Sequence, residues 1–155
     1  METKITIAAD VNGDIPGGRA DEYGIVILPQ YYRFDRDETV YGDEQNLSSA
    51  EFFVRMSGGE RAYSMGCNPQ RVRELLEPRL AAGEDIICLM FSSALSGSYN
   101  TVSMVARQLC GEYPERRIEV IDTLNASFAQ GLLAYRAAKR RLEGRSFDEI
   151  VQSVE

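Results

Sequence analysis

The chain has 155 residues, of which 44% are hydrophobic and 26% charged, the size and composition of one ordinary soluble domain. Acidic residues outnumber basic ones by 24 to 17, so the net charge of −7 disfavours nucleic acid and anionic lipid surfaces as partners. The sequence contains no histidine, which excludes Ser-His-Asp triads, Cys-His pairs and histidine metal ligands within this chain.

Cysteine usage and hydropathy predict a cytoplasmic protein. The three cysteines form no C-x-x-C motif, which fits a reducing compartment. The longest apolar run, Ile86 to Phe91, is far shorter than the roughly 20 residues that span a bilayer. No basic segment followed by an apolar block occurs at the N-terminus, so we expect neither a signal peptide nor membrane insertion.

Apolar runs rich in β-branched residues indicate strands, which lie at residues 4–9, 25–28, 85–91 and 118–121. The second run is expected to continue past Pro29 into a hairpin, in which residues 30–34 pair with residues 39–41. The third run is apolar on both faces, as in a central parallel strand.

Capping residues and helical spacing indicate helices between the strands. A capping box at Ser48 and Glu51 begins a short helix, and Asn68 followed by Pro69 begins another that ends at Gly83. Further helices are expected at about residues 98–111, at about residues 127–143 and after a capping box at residues 146–149. The alternation predicts an α/β fold, a three-layer parallel sheet with flanking helices.

Polar loops follow three of the predicted strands, at residues 10–14, 91–99 and 122–125. Ligands of open parallel sheets bind beyond the carboxyl ends of the strands, so these loops are expected to form one cleft. A fourth polar stretch, residues 63–69, precedes a helix and is expected to reach the same cleft.

The loop after the third strand, FSSALSGSY at residues 91–99, is the most unusual segment. Its hydroxyls and free N–H groups precede a helix, an arrangement that favours a small anion such as carboxylate or phosphate. The alternative is structural: Ser96 and Ser98 cap the helix while Ser92 and Ser93 fill a turn. The loop lacks the lysine of a P-loop and matches neither G-x-G-x-x-G nor G-x-S-x-G.

Acidic residues at the strand ends allow a second kind of site. Asp10, Asp14 and Asp122 could form a carboxylate cluster for Mg²⁺. The alternative is that the three side chains cap loops by accepting backbone N–H groups.

Two further features each have two interpretations. Cys67 is either a thiol with a lowered pKa near a helix N-terminus or a small buried side chain. Tyr31, Tyr32 and Phe34 form either an exposed aromatic patch or the core of the hairpin.

The loops carry motifs that together resemble the DegV family of bacterial fatty-acid-binding proteins, in order along the whole chain. The most specific is the string S-S-x-L-S-G-[ST]-Y at residues 92–99. The others are Asp10 with Asp14-Ile15-Pro16, Asn68-Pro69, Val120-Ile121-Asp122-Thr123, and Ser127 with Gly131.

The resemblance implies a non-catalytic lipid carrier without a cofactor, whose ligand is a long-chain fatty acid. Its carboxylate is held by serine hydroxyls and its acyl chain enters an apolar tunnel. Ser93 and Ser64 are implied as carboxylate ligands and Ser92 and Ser96 as supporting donors. Ser64 corresponds to the first position of the family's Thr-Ser pair when the alignment is anchored on Pro69.

Asp10 and Asp122 are expected to orient the loops and hydroxyls around that site. A separate ATP-dependent fatty acid kinase is the implied protein partner.

Family members are nearly twice as long and carry a second α/β domain over the tunnel. Residues 1–155 therefore resemble the N-terminal domain, and we expect the C-terminal domain to be absent from this chain. Its absence should leave one wall of the tunnel as an exposed apolar patch. The alternative function is a Mg²⁺-dependent enzyme acting on a phosphorylated small molecule, for which nearby lysine and histidine are lacking.

Overall fold

The computed structural model describes residues 4–16, 18–43 and 45–154. Within them the strands are β1 (Ile5–Asp10), β2 (Ile25–Leu28), β3 (Gln30–Phe34), β4 (Ala62–Cys67), β5 (Asp85–Met90) and β6 (Ile118–Asp122). The helices are α1 (Arg19–Glu22), α2 (Ser49–Ser57), α3 (Pro69–Ala81), α4 (Ser98–Glu112), α5 (Phe128–Leu142) and α6 (Phe147–Gln152).

A parallel sheet in the order β2-β1-β5-β6 forms the centre of the fold. Every residue of β1 and β5 is buried because helices cover both faces of the sheet. Ile7 and Ile87 pack in a core cluster with the alanines of α5 and with α6, whereas Ala8 and Cys88 pack in a second cluster with α3 and α4. This arrangement confirms the predicted α/β fold.

A second sheet, the β3–β4 ribbon, pairs Gln30–Phe34 with Ala62–Cys67 in antiparallel orientation. The predicted pairing of residues 30–34 with residues 39–41 is therefore wrong, apart from one bridge between Tyr32 and Tyr41. The longer β4 can pair with all of β3, so it forms hydrogen bonds with more of the backbone N–H and C=O groups of β3 than residues 39–41 could. The sequence reasoning did not assign a strand to residues 62–67.

The predicted capping signals form as expected. Ser48 and Ser146 each make a capping box, and the Asn68 side chain accepts a hydrogen bond from the Arg71 N–H at 3.1 Å. Pro69 occupies the first turn of α3, where no N–H is needed. None of the helices in the described part of the chain has the length and apolar composition required to cross a membrane.

Candidate functional site

Asp10 connects two loops at the carboxyl edge of the parallel sheet. It ends β1, is fully buried, and accepts hydrogen bonds from the N–H of Asn12 at 3.0 Å and of Phe91 at 2.7 Å. Burial raises the pKa of Asp10, and these backbone hydrogen bonds oppose the shift only in part. The carboxyl group thus ties the turn after β1 to the first residue of the serine loop, which we define as residues 91–98.

Asp122 holds the serine loop from the other side. Its Oδ1 accepts the N–H groups of Ser93 and Leu124, both at 3.1 Å. Partial burial raises the pKa of Asp122, but hydrogen bonds from Ser93 and Leu124 outweigh it, so the net shift is downward. An ionised Asp122 therefore positions Ser93, whose side chain is exposed at the edge of the sheet.

Ser92 and Ser96 already have hydrogen-bond partners within the loop. The Ser92 hydroxyl accepts the Ala94 N–H at 3.3 Å, and the Ser96 hydroxyl donates to Ser98 Oγ at 3.1 Å. Their role as supporting donors to a carboxylate stays a prediction, because these bonds are equally well explained if the two serines form a turn and a helix cap.

Ser64 lies on β4, opposite Tyr32 in the ribbon, and is exposed. Among the described residues its hydroxyl has no hydrogen-bond partner. It lines a groove of about 770 Å³ between the ribbon and the ends of β1 and β2, whose other described walls include Val11, Asn12, Ile27 and Phe52. No described residue of the serine loop lines this groove.

The β3–β4 ribbon meets the serine loop at Gly66 and Cys67. Gln30 pairs with Cys67 and Tyr31 with Met65, so Gly66 lies at a bulge, and the alternation of side chains along the strand does not extend from Ser64 to Gly66. A Cβ on Gly66 would point at Ser98 Oγ, 3.2 Å away. The end of the ribbon that carries Gly66 and Cys67 thus contacts the serine loop, and the convergence of Ser64 with Ser93 on one carboxylate stays a prediction.

The acidic cluster considered for Mg²⁺ does not form. Asp10 and Asp122 each accept one backbone N–H from their own loop and one from the serine loop, and Asp14 accepts the Ser127 hydroxyl. The described residues contain no group of three or more acidic or cysteine side chains placed to share a metal ion. The loop-capping interpretation is correct for Asp10 and Asp122, whereas Asp14 accepts a side-chain hydroxyl from the residue before α5.

Cys67 is buried, and this burial raises the pKa of its thiol to about 11. The interpretation as a reactive thiol is therefore wrong. Phe34 is also fully buried, and its ring packs against Phe52 with centroids 5.4 Å apart. Tyr32 stacks on Tyr41 with ring centroids 5.3 Å apart, so Tyr32 and Phe34 contribute to packing of the ribbon, whereas Tyr31 is half-buried.

Sequence reasoning missed Gln130, and it named Gly131 in a family motif without the contact that this glycine makes. Gln130 is fully buried at the start of α5, where its Nε2 donates to the Leu89 carbonyl at 3.0 Å, and its side chain lowers the pKa of Asp10 in part against the effect of burial. Gly131 packs directly on the backbone of Gly13. A glutamine on the inward face of a helix is the signal that could have found the first, whereas the second required coordinates.

Comparison with known proteins identifies relatives over nearly the whole chain. A family model described as "Uncharacterised protein, DegV family" matches residues 4–155. A DegV domain-containing protein from Clostridium perfringens is 32% identical over 152 residues, which cover 98% of this chain and 52% of the relative. Another, from Caldanaerobacter subterraneus, is 30% identical over 151 residues, 97% of this chain and 52% of the relative.

Solved structures share the fold. A DegV family protein from Thermus thermophilus, described for its fatty acid binding, superposes with a TM-score of 0.86 at 22% identity, over 98% of this chain and 52% of that one. A stearic acid-binding protein from Eubacterium ventriosum gives a TM-score of 0.87 at 22% identity, over 97% and 52%. The chain spans about half the length of the curated relatives it matches. With the family model matching residues 4–155, the resemblance found in the loops is confirmed, and this chain belongs to the DegV family.

Proposed function

We propose that this chain binds a long-chain fatty acid, with the hydroxyls of Ser93 and Ser64 donating to its carboxylate. The observation that carries the proposal is that the ribbon bearing the exposed Ser64 is joined to the serine loop bearing the exposed Ser93, through the hydrogen bond from the Cys67 N–H to Ser98 Oγ. The solved DegV relatives described as fatty-acid-binding support the same ligand class.

The head group is held by neutral donors in this proposal. Each hydrogen bond to a carboxylate contributes about 1.5 to 3 kcal/mol, and serine avoids the larger desolvation cost of a buried cation. Ser92 and Ser96 support the two ligands, while Asp10 and Asp122 orient the loops through the N–H groups of Phe91 and Ser93. The head group therefore sets where the fatty acid lies.

The acyl chain provides most of the affinity, since each buried CH₂ contributes about 0.8 kcal/mol. Apolar side chains are available for it at the same edge: Leu95 and Leu124 are 68% and 73% exposed, and Phe128 is 60% exposed. The groove beside Ser64, about 770 Å³, is within the roughly 300 to 1,000 Å³ of small-molecule sites. These surfaces would form one wall of a tunnel that a second α/β domain covers.

The protein then acts as a non-catalytic carrier in the cytoplasm, without a cofactor. The absence of histidine from the sequence leaves no general base of that type for the serines, which favours binding over catalysis. A bound fatty acid with its carboxylate at the open edge of the sheet could be presented to a separate ATP-dependent fatty acid kinase.

Lipid extraction provides the direct test. Protein purified from a bacterial host should release a C16 to C18 acid into organic solvent, as detected by mass spectrometry, and lipid-free protein should take up oleate. Ser64→Ala and Ser93→Ala should each weaken oleate binding by roughly 10- to 100-fold, the equivalent of one hydrogen bond to a charged group. Ser57→Ala, an exposed serine at the end of α2, is the matched control and should bind as wild type. Protein that carries no lipid and takes up no oleate would refute the proposal.

A further inference from the structure

Ser98 joins the serine loop to both strands of the β3–β4 ribbon. It is the first residue of α4 and is fully buried. Its Oγ accepts the Cys67 N–H of β4 at 3.1 Å and Gln30 Nε2 of β3 at 2.9 Å. The Ser96 hydroxyl donates to the same oxygen at 3.1 Å. One hydroxyl therefore connects three segments that lie far apart in the sequence.

The contact between β4 and the start of α4 is also tight. A Cβ on Gly66 would lie 3.2 Å from Ser98 Oγ and 3.9 Å from its backbone nitrogen. The first distance is shorter than ordinary van der Waals contact, so a glycine is required for this approach unless Ser98 moves. Gly66 is two residues from Ser64, and the junction therefore lies next to the proposed ligand.

The position of Ser64 depends on this junction. Ser64 precedes Cys67 by three residues, about 10 Å along the strand, whereas Ser93 is fixed separately by Asp122. A two-stranded ribbon is only marginally stable alone, so contacts with the main body decide where its side chains lie. Donors to one ligand must be held to within about 0.5 Å of their working geometry.

We propose that Ser98 is a positioning residue for the carboxylate: without touching the ligand, its hydroxyl sets the spacing between Ser64 and Ser93. This inference rests on the proposed function. It differs from a purely structural role in one measurable respect, the preference for an acid over an alcohol with the same tail. Burial of the tail contributes equally to both ligands, and only the carboxylate requires two correctly spaced donors.

The test compares binding of oleate and of oleyl alcohol to the 155-residue chain. Ser98→Ala should lower the affinity for oleate about tenfold and leave that for oleyl alcohol within about twofold, because one charge-assisted hydrogen bond is weakened. Gly66→Ala should cause a similar loss by pushing the strand from α4 while the hydroxyl remains. Ser103→Ala is the matched control in the same helix, since its buried hydroxyl has no hydrogen-bond partner among the described residues, and both affinities should stay unchanged.

The outcomes separate the two proposals. A wild-type chain that binds oleate no better than oleyl alcohol would contradict the proposed function itself. A wild-type preference for oleate that persists in folded Ser98→Ala, or in Gly66→Ala if Ser98→Ala does not fold, would overturn the positioning role. Equal losses for acid and alcohol would also overturn it, because they indicate a structural role alone.

Discussion

Gly131 allows α5 to pack against the turn that follows β1, and we expect Gly131→Ala to destabilise the protein. Gly131 and Gly13 are both buried. A Cβ on Gly131 would overlap the Gly13 carbonyl oxygen and lie 3.1 Å from the Gly13 carbonyl carbon. Ile15 Cγ1 would be 3.4 Å away on the other side. The overlap is with backbone, so no change of rotamer can relieve it.

The size of the effect follows from two opposing contributions. Adding a methyl group to a filled core costs about 1 to 3 kcal/mol, and overlap with backbone places Gly131→Ala at the upper end. Alanine gains about 1 kcal/mol over glycine in a helix. The net loss should be about 2 kcal/mol, which corresponds to a decrease in Tm of about 4 to 8 °C for a domain of this size.

Urea and thermal unfolding followed by circular dichroism measure this loss, with Gly111→Ala as the matched control. Gly111 is in α4, and a Cβ there would meet no atom within 4 Å. The control should therefore gain stability, by about 0.5 to 1 kcal/mol. If Gly131→Ala is as stable as Gly111→Ala, the close backbone contact between α5 and the β1 turn does not exist as described.

Three further outcomes are expected. Burial raises the pKa of Asp10 above its usual 3.8, so the folded protein binds this proton more tightly than the unfolded protein does. The contribution of Asp10 to the free energy of unfolding therefore falls as the pH rises above about 4. In urea titrations, the unfolding free energy of wild type minus that of Asp10→Asn should be larger at pH 4 than at pH 7, and a flat or rising difference would contradict this. Burial raises the pKa of the Cys67 thiol to about 11 and that of Cys88 to about 12. Neither thiol should react with Ellman's reagent at pH 8 within minutes, whereas both should react after unfolding in guanidinium. Rapid reaction of more than one thiol in the native protein would count against that burial. The Arg55 guanidinium lies 4.0 Å from the centroid of the Phe34 ring and is paired with the carboxylates of Asp37 and Glu60. Arg55→Ala should therefore lower the free energy of unfolding by about 1 to 3 kcal/mol and speed amide hydrogen exchange in β3. Unchanged exchange in β3 would show that Arg55 does not stabilise this strand.

The helices and the central sheet were predictable because their signals are local. Ser48, Asn68 and Ser146 cap helices through side chains that reach only three residues ahead. The apolar run at residues 85–91 indicates a strand buried on both faces, and β5 is such a strand. The loop motifs were sufficient to identify the DegV family, since a motif is a property of neighbouring residues.

Tertiary structure alone decided how the ribbon pairs and what the serine loop contacts. Residues 30–34 could have paired with several later segments, and the choice of residues 62–67 depends on which ladder best buries Phe34 and satisfies its backbone. The sequence offers Ser98 as a helix cap in one of two interpretations of the loop, and neither predicts that its hydroxyl accepts hydrogen bonds from both strands of the ribbon. The Asp10 side chain likewise accepts a hydrogen bond from the N–H of Phe91, which lies 81 positions further along the chain. Contacts of this kind depend on where distant segments meet after folding, and the composition of each segment by itself does not specify its partner.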